Sequence, residues 1–154
     1  TPLSSPRPLI LACPHLRSNV NLSRIVRVAS CCGIGRLITC GPAKIDPTIS
    51  RGGEDHLVLE IRRSLPPVLQ KLRDRDYTLV GLEQTTNSQS LPHYQFPHKT
   101  VLVVGHERHG LDEQTLQLLA ATVEIPVYGL PPSNNVATAT AMALYEYCRQ
   151  YPNG

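Results

Sequence analysis

Three separated stretches of the sequence combine polar side chains with glycine and proline in patterns suited to chemistry. They are NLSRIVRVA at residues 21–29, VLVVGHERHGL at residues 101–111 and IPVYGLPPSNNVA at residues 125–137. Together they offer guanidinium, carboxylate, hydroxyl and amide groups, which are the groups that bind ligands and take part in catalysis. A guanidinium stays protonated in proteins and is a poor base, so an arginine here favours stabilisation of developing negative charge.

Along the chain, apolar runs typical of buried strands alternate with patterns typical of helices, and these elements must position the three stretches. Helices are predicted from Asn21 to about Gly33 and over the ranges that follow, 64–75, 111–121 and 135–150. Buried strands are predicted at residues 9–13, 36–40, 78–82, 101–104 and 123–126. This alternation predicts a single α/β domain over residues 1–154 with a largely parallel sheet. Ligands bind at the carboxyl ends of such strands, and the second and third stretches begin there.

Three regions are less clear from pattern alone. In residues 41–63 the pair Asp46 and Pro47 favours a turn or a helix start, and residues 51–53 a loop. Residues 85–99 are polar and are expected at the surface. VATATA at residues 136–141 alternates like a strand, but the strong helix formers after it and the Ser-Asn-Asn before it predict a helix.

Composition limits the classes of partner. The 154 residues carry 15 Lys and Arg against 12 Asp and Glu, and the net charge of +3 permits a polyanionic partner. The five cysteines include no C-x-x-C pair, which favours a reducing, cytoplasmic setting over a disulfide framework. The histidines of HERH at residues 106–109 stand three apart, not four as in a zincin, so no metal is expected. No apolar run approaches a membrane span, and no membrane partner is expected.

In order and spacing, the three stretches resemble the SpoU (TrmH) family of RNA 2′-O-ribose methyltransferases, within the superfamily of knotted methyltransferases that use S-adenosylmethionine. The positions that match the family motifs are Asn21, Arg27, Ala29, Gly105, Glu107, Gly110, Leu111, Ile125, Pro126, Gly129, Ser133, Asn135 and Val136. Three positions depart from them, namely Ser23 in place of Gly, His106 in place of Asn and Asn134 in place of Leu.

The resemblance implies a Rossmann-like, mostly parallel sheet with a C-terminal deep trefoil knot, and a homodimer that pairs through the knot region. It implies S-adenosylmethionine as cofactor and structured RNA as substrate, with transfer RNA the first choice and ribosomal RNA the second. The expected catalytic residues are Arg27, Ser133, Asn135, Glu107 and Asn21. The expected cofactor-binding residues are Leu82, Gly105, His106, Ile125, Val127, Leu130 and Asn134. Arg17 and Arg24 are expected to contact RNA.

The same residues also have simpler explanations. Arg24 and Arg27 could be solvated helix residues, and Glu107 a surface loop acid. Asn21 could be the N-cap of its helix; in the third stretch Asn134 or a neighbour is expected to cap the last helix, which leaves Ser133 and Asn135 for chemistry. A side chain at Gly105 is expected to block the cofactor. The small side chains of the last helix, Val136, Ala139 and Ala143, are expected to face a second copy.

Two other functions remain open at this stage. One is a knotted RNA-binding module that has lost catalysis, for which His106 and Asn134 are the only support. The other is an unrelated small α/β nucleotide-binding protein, in which the order of the three motifs would be a coincidence.

Overall fold

A seven-stranded parallel sheet forms the centre of the molecule. The computed structural model describes residues 1–154, and the strands lie in the order β3-β2-β1-β6-β4-β7-β5. Their bounds are β1 Arg7–Ala12, β2 Ile34–Cys40, β3 Val58–Arg62, β4 Thr78–Leu82, β5 Gln89–Ser90, β6 Thr100–Val104 and β7 Ala121–Glu124. Because all the strands are parallel, their carboxyl ends meet at one edge, as the sequence predicted.

Helices cover both faces of the sheet. Their bounds are α1 Asn19–Cys31, α2 Pro47–Ser50, α3 Leu65–Asp74, α4 Glu113–Leu118 and α5 Val136–Gln150. One face packs Leu11 and Leu102 of the sheet against α1 and α5, and the other packs Val101 against α3. Burial on both faces explains why β1 and β6 are continuous apolar runs and not alternating ones. None of the helices is long and apolar enough to cross a membrane.

The structure confirms the predicted helices and strands whose position is set by burial of apolar residues or by a helix cap. Asn135 caps α5, so VATATA is helical, and Asp46 caps α2 by accepting from Thr48 N at 3.0 Å. The helix expected over residues 111–121 is shorter, because Asp112 caps it and the backbone of Leu119 is extended. The last strand begins two residues earlier than expected, at Ala121.

The expectation that residues 85–99 lie at the surface was wrong in part. Leu91 is buried, and Phe96 is 1% exposed and packs edge-on against Tyr147 with ring centroids 5.8 Å apart. Here a few apolar side chains in a polar segment are drawn into the core by contact with α5. The fold is thus the predicted parallel α/β sheet, while the knot remains a prediction.

Candidate functional site

The first turn of α1 presents an asparagine towards the carboxyl edge of the sheet. Ser18 is the N-cap, because its hydroxyl accepts from Asn21 N at 3.2 Å. The alternative that Asn21 is the cap is therefore wrong. The side chain of Asn21 is free to bind elsewhere, although the residue is only 8% exposed.

Glu107 lies in the loop after β6 and fastens that loop to the start of α1. Its Oε1 accepts from Arg17 N at 2.9 Å, and its Oε2 accepts from Ser18 N at 2.9 Å and from Asn21 Nδ2 at 3.0 Å. Two backbone donors at the start of a helix are thereby satisfied by one carboxylate, which the positive end of the helix also favours.

The surroundings of Glu107 keep it ionised. Partial burial tends to raise the pKa of its carboxyl group, but the hydrogen bonds from Arg17, Asn21 and Ser18 outweigh burial and hold the pKa below its usual value. At neutral pH the group is therefore an acceptor with its lone pairs already engaged. This suits a positioning role better than proton transfer.

The third stretch joins the same network through Asn135. Its Oδ1 caps α5 by accepting from Ala137 N at 2.8 Å, while its Nδ2 donates to Asn21 Oδ1 at 3.1 Å. The helix cap is thus Asn135 itself and not Asn134. We call Glu107, Asn21 and Asn135 the amide–carboxylate network. It connects the three stretches that the sequence singled out.

A small cavity lies beside this network at the ends of β4 and β7. Its volume is about 190 Å³, and its walls include four of the expected cofactor residues, Leu82, Ile125, Val127 and Asn134. Ser133 also lines it, and the Ser133 hydroxyl has no hydrogen-bond partner within the chain. The remaining walls are formed by Glu83, Gln84, Glu124, Pro132 and Ala139.

The loop over this cavity offers many free polar groups. No backbone N–H or C=O of residues 126–134 is hydrogen-bonded within the chain, and Leu130 is 91% exposed. Unpaired backbone groups and apolar walls together fit a ligand with both polar and apolar surface. A larger cavity of about 800 Å³ lies against residues 1–7 and the C-terminal halves of α1 and α5, and it contains none of the expected site residues.

Three expected cofactor residues, Gly105, His106 and Leu130, do not line the cavity. Gly105 is buried, and a Cβ there would lie 2.7 Å from the carbonyl carbon of Gly110. Its missing side chain lets the loop fold back on itself, so a larger residue would disturb the loop before it met any ligand.

His106 forms the same kind of turn that an asparagine side chain can form. Its Nδ1 accepts from Arg108 N at 3.0 Å and from His109 N at 3.2 Å, which resembles the turn that Asn or Asp side chains form with backbone amides two or three residues on. The exchange of Asn for His therefore preserves the local bend. No group of three or more His, Cys, Asp or Glu side chains is arranged to hold a metal ion.

Glu83 was missed by the reasoning from sequence. It follows β4 directly, lines the cavity, and accepts from Leu111 N at 2.7 Å through Oε2. An acidic residue at the carboxyl end of a buried strand was the available signal, but the family motifs did not include it.

The arginines lie on the outer side of α1. Arg27 is exposed and, with Arg24, lines a groove of about 360 Å³ against Thr48 and Ile49 of α2. It stands six residues beyond Asn21, about 9 Å along the helix axis and on a different side. The side chain of Arg17 is exposed as well. Within one chain, the structure does not bring Arg27 to the amide–carboxylate network.

Several known proteins are similar to this chain in sequence or in structure. The chain is 34% identical over 148 residues to tRNA (guanosine(18)-2'-O)-methyltransferase TARBP1 of Mus musculus, covering 92% of this chain but only 9% of the mouse protein. The crystal structure of the A. aeolicus TrmH/SpoU tRNA modifying enzyme matches 97% of this chain and 78% of that one, with a TM-score of 0.91 and 27% identity.

A second solved structure contains a ligand. The SpoU methyltransferase AviRb of Streptomyces viridochromogenes, in complex with the cofactor AdoMet, matches 99% of this chain and 64% of that one, with a TM-score of 0.83 and 27% identity. The model of the SpoU rRNA Methylase family matches residues 8–145. Because that match spans the sheet and all three stretches of the site, the chain belongs to the SpoU rRNA Methylase family.

Proposed function

We propose that this chain transfers a methyl group from S-adenosylmethionine to a ribose 2′-hydroxyl of RNA. The amide–carboxylate network carries the proposal, because it joins all three motif stretches, and residues of the third stretch line the adjacent cavity. Transfer RNA is the first choice of substrate, since the mouse relative is named for tRNA and the A. aeolicus enzyme modifies it. Ribosomal RNA is the second.

The cofactor fits the residues beside the network. Leu82, Ile125 and Val127 would supply apolar contacts, and the unpaired backbone groups of residues 126–134 would supply hydrogen bonds. The cavity of about 190 Å³ is smaller than a whole pocket for such a ligand, so the exposed loop must close over part of it. When bound, S-adenosylmethionine supplies a methyl group activated by its positive sulfur.

The remaining chemistry falls to side chains of the chain. A ribose hydroxyl is a weak nucleophile, and Ser133 would orient it, which its lack of a hydrogen-bond partner within the chain supports. Arg27 would stabilise negative charge on the ribose oxygen. The ribose oxygen would take the methyl group, the sulfur would keep the electrons of the broken carbon–sulfur bond, and the hydroxyl proton would pass to water, because the Glu107 carboxylate already accepts three hydrogen bonds.

The separation of Arg27 from the network supports a homodimer in which a second copy completes the site. Exposed apolar side chains on α1 and α5 offer a surface for pairing, since Val20 is 43% exposed and Tyr145 74%. Ala143, which was expected to face a second copy, is fully buried in the core. The contact must therefore use other residues of α5.

His106 does not favour the alternative of a module without catalysis. Its Nδ1 performs the turn-forming role of an amide, so this departure from the motif leaves the loop intact.

Calorimetry with S-adenosylmethionine tests the proposed cofactor site. Wild-type protein is expected to bind it, and Ala139→Leu, which fills the cavity from α5, is expected to weaken binding at least tenfold. Thr138→Leu is the matched control, because Thr138 is exposed on the same helix and does not line the cavity. Equal affinity in all three proteins would place the cofactor elsewhere.

A further inference from the structure

Positive charge is concentrated in one groove away from the site described above. The groove lies between β3 and α3 and has a volume of about 410 Å³. Its five cationic side chains, which define what we call the basic groove, are Arg36, Arg62, Arg63, Lys71 and Arg75. No acidic side chain lines it. With the adjacent Glu60 included, four net positive charges lie here, against +3 for the whole chain.

Only part of this charge is neutralised. Glu60 accepts from Arg36 Nε at 2.5 Å and from Arg62 Nη2 at 2.8 Å. Hydrogen bonding by Arg36 is the main reason that the pKa of Glu60 lies below its usual value. Arg63, Lys71 and Arg75 form no ion pair. Glu60 thus pairs with two of the five cations, and the other three are free to bind an anionic partner.

The free cations of the groove suit a repeating anion. Lys71 lies in the last turn of α3 and Arg75 is the residue that caps the end of this helix, and both side chains line the groove. Lys99 is a further cation nearby, because its Nζ donates to the Arg75 carbonyl oxygen at 2.8 Å. Several free cations in one groove fit a chain of phosphates better than a single anion.

The basic groove lies within reach of the candidate site. Arg62 ends β3 at the same sheet edge where β6 leads to Glu107. Since neighbouring strands are about 4.8 Å apart and β2 and β1 intervene, β3 and β6 are separated by about 14 Å. The cavity lies one strand further on, at the end of β4, so it is about 19 Å from β3.

We propose that the basic groove binds the phosphate backbone of the substrate RNA at a position distinct from the reacting nucleotide. The identity of the RNA as the substrate rests on the proposed function. Binding of a phosphate backbone does not, because the charge of the groove alone supports it.

Filter-binding titrations with bulk tRNA at several salt concentrations test this inference. The double variant Lys71→Gln/Arg75→Gln is compared with Arg73→Gln/Arg51→Gln, which removes two unpaired charges from exposed positions outside the groove. Each lost phosphate contact should reduce the salt slope by about one, so the first pair should lower it by roughly two. Its affinity should fall at least about tenfold at moderate salt, with the control near wild type. Thermal unfolding of both variants checks that they are folded.

Methyl transfer and calorimetry separate this proposal from the proposed function. The groove variant should bind S-adenosylmethionine as the wild type does and lose methyl transfer only at subsaturating RNA. An unchanged affinity and salt slope in the groove variant would overturn the inference and leave an acidic protein surface as the occupant. A wild-type protein that shows the expected groove-dependent RNA binding but transfers no methyl group would overturn the proposed function and leave the groove standing.

Discussion

Ser133 and Asn135 stand two residues apart, but the chain uses their side chains differently. The oxygen of Asn135 caps α5 and its amide holds Asn21, whereas the Ser133 hydroxyl faces the cavity without a partner. Asn135 therefore has a structural role within the site, whereas the Ser133 hydroxyl is free to bind a substrate.

This difference predicts opposite outcomes for two alanine variants. Asn135→Ala should lower the free energy of unfolding by about 1 kcal/mol through the lost cap. Ser133→Ala should leave stability within about 0.5 kcal/mol of wild type but slow methyl transfer. Urea unfolding and single-turnover rates, measured on the same preparations, make the comparison. Equal stability losses would show that the Ser133 hydroxyl is engaged within the fold.

Arg27 and Arg24 offer a second pair at this scale. Both are exposed on α1 and line the groove against α2. If Arg27 stabilises charge on the ribose oxygen, Arg27→Ala should reduce the single-turnover rate about a hundredfold to a thousandfold. Arg24→Ala should mainly weaken RNA binding and reduce its salt slope by about one. Arg27→Lys keeps the charge but loses the planar fork. A wild-type rate in Arg27→Ala would remove this residue from the mechanism.

Among the elements, the loop after β6 and the start of α1 depend on one carboxylate. Glu107 binds two backbone amides and the side chain of Asn21, and its pKa is lowered in the folded state. A lowered pKa means that the stabilisation is present above the usual pKa of a glutamate and is lost as pH falls through the folded value.

Glu107→Gln should therefore lower the free energy of unfolding by about 1–3 kcal/mol at neutral pH, because an amide nitrogen cannot accept these bonds. The difference from wild type should shrink as pH falls below about 4, where the wild-type carboxyl group is itself protonated. Urea titrations across this range measure it. Glu113→Gln, at an exposed position with no side-chain hydrogen bond, is the control. A deficit independent of pH would mean that ionisation of Glu107 does not matter.

The elements also show what pattern could predict. β1 and β6 were clear from sequence because both their faces are buried and their apolar runs are unbroken. β3 was missed because it is an edge strand: Val58 and Ile61 are exposed, and the charged Glu60 lies between its apolar residues. The three site stretches were found because each follows a strand or opens a helix. Their direct connection through Asn21 and Asn135 depends on tertiary contacts that no spacing reveals.

Arg27 lies away from the amide–carboxylate network of its own chain, so the proposed mechanism requires a dimer in which Arg27 of one copy reaches the site of the other. The network and the cavity belong to one copy, and Arg27 would come from the other. Light scattering should then report about twice 17.0 kDa. The sharper test mixes Arg27→Ala and Ser133→Ala after unfolding and refolding them together.

Each variant alone should transfer methyl groups slowly. In the mixture half of all dimers would be heterodimers, and each heterodimer would carry one intact site. The mixture should recover roughly a quarter of the wild-type rate if pairing is random. A mixture no more active than its separate components would place Arg27 and Ser133 in the same copy and contradict the shared site.

The central claim is that the three stretches form one site for methylation of a ribose hydroxyl. Digestion of bulk tRNA to nucleosides after incubation with the protein and S-adenosylmethionine, followed by mass spectrometry, tests it most directly. The account predicts a 2′-O-methylnucleoside whose initial rate of formation falls about a hundredfold or more when Arg27→Ala replaces the wild type. Methyl groups found only on bases, or equal amounts of 2′-O-methylnucleoside from both proteins, would contradict it.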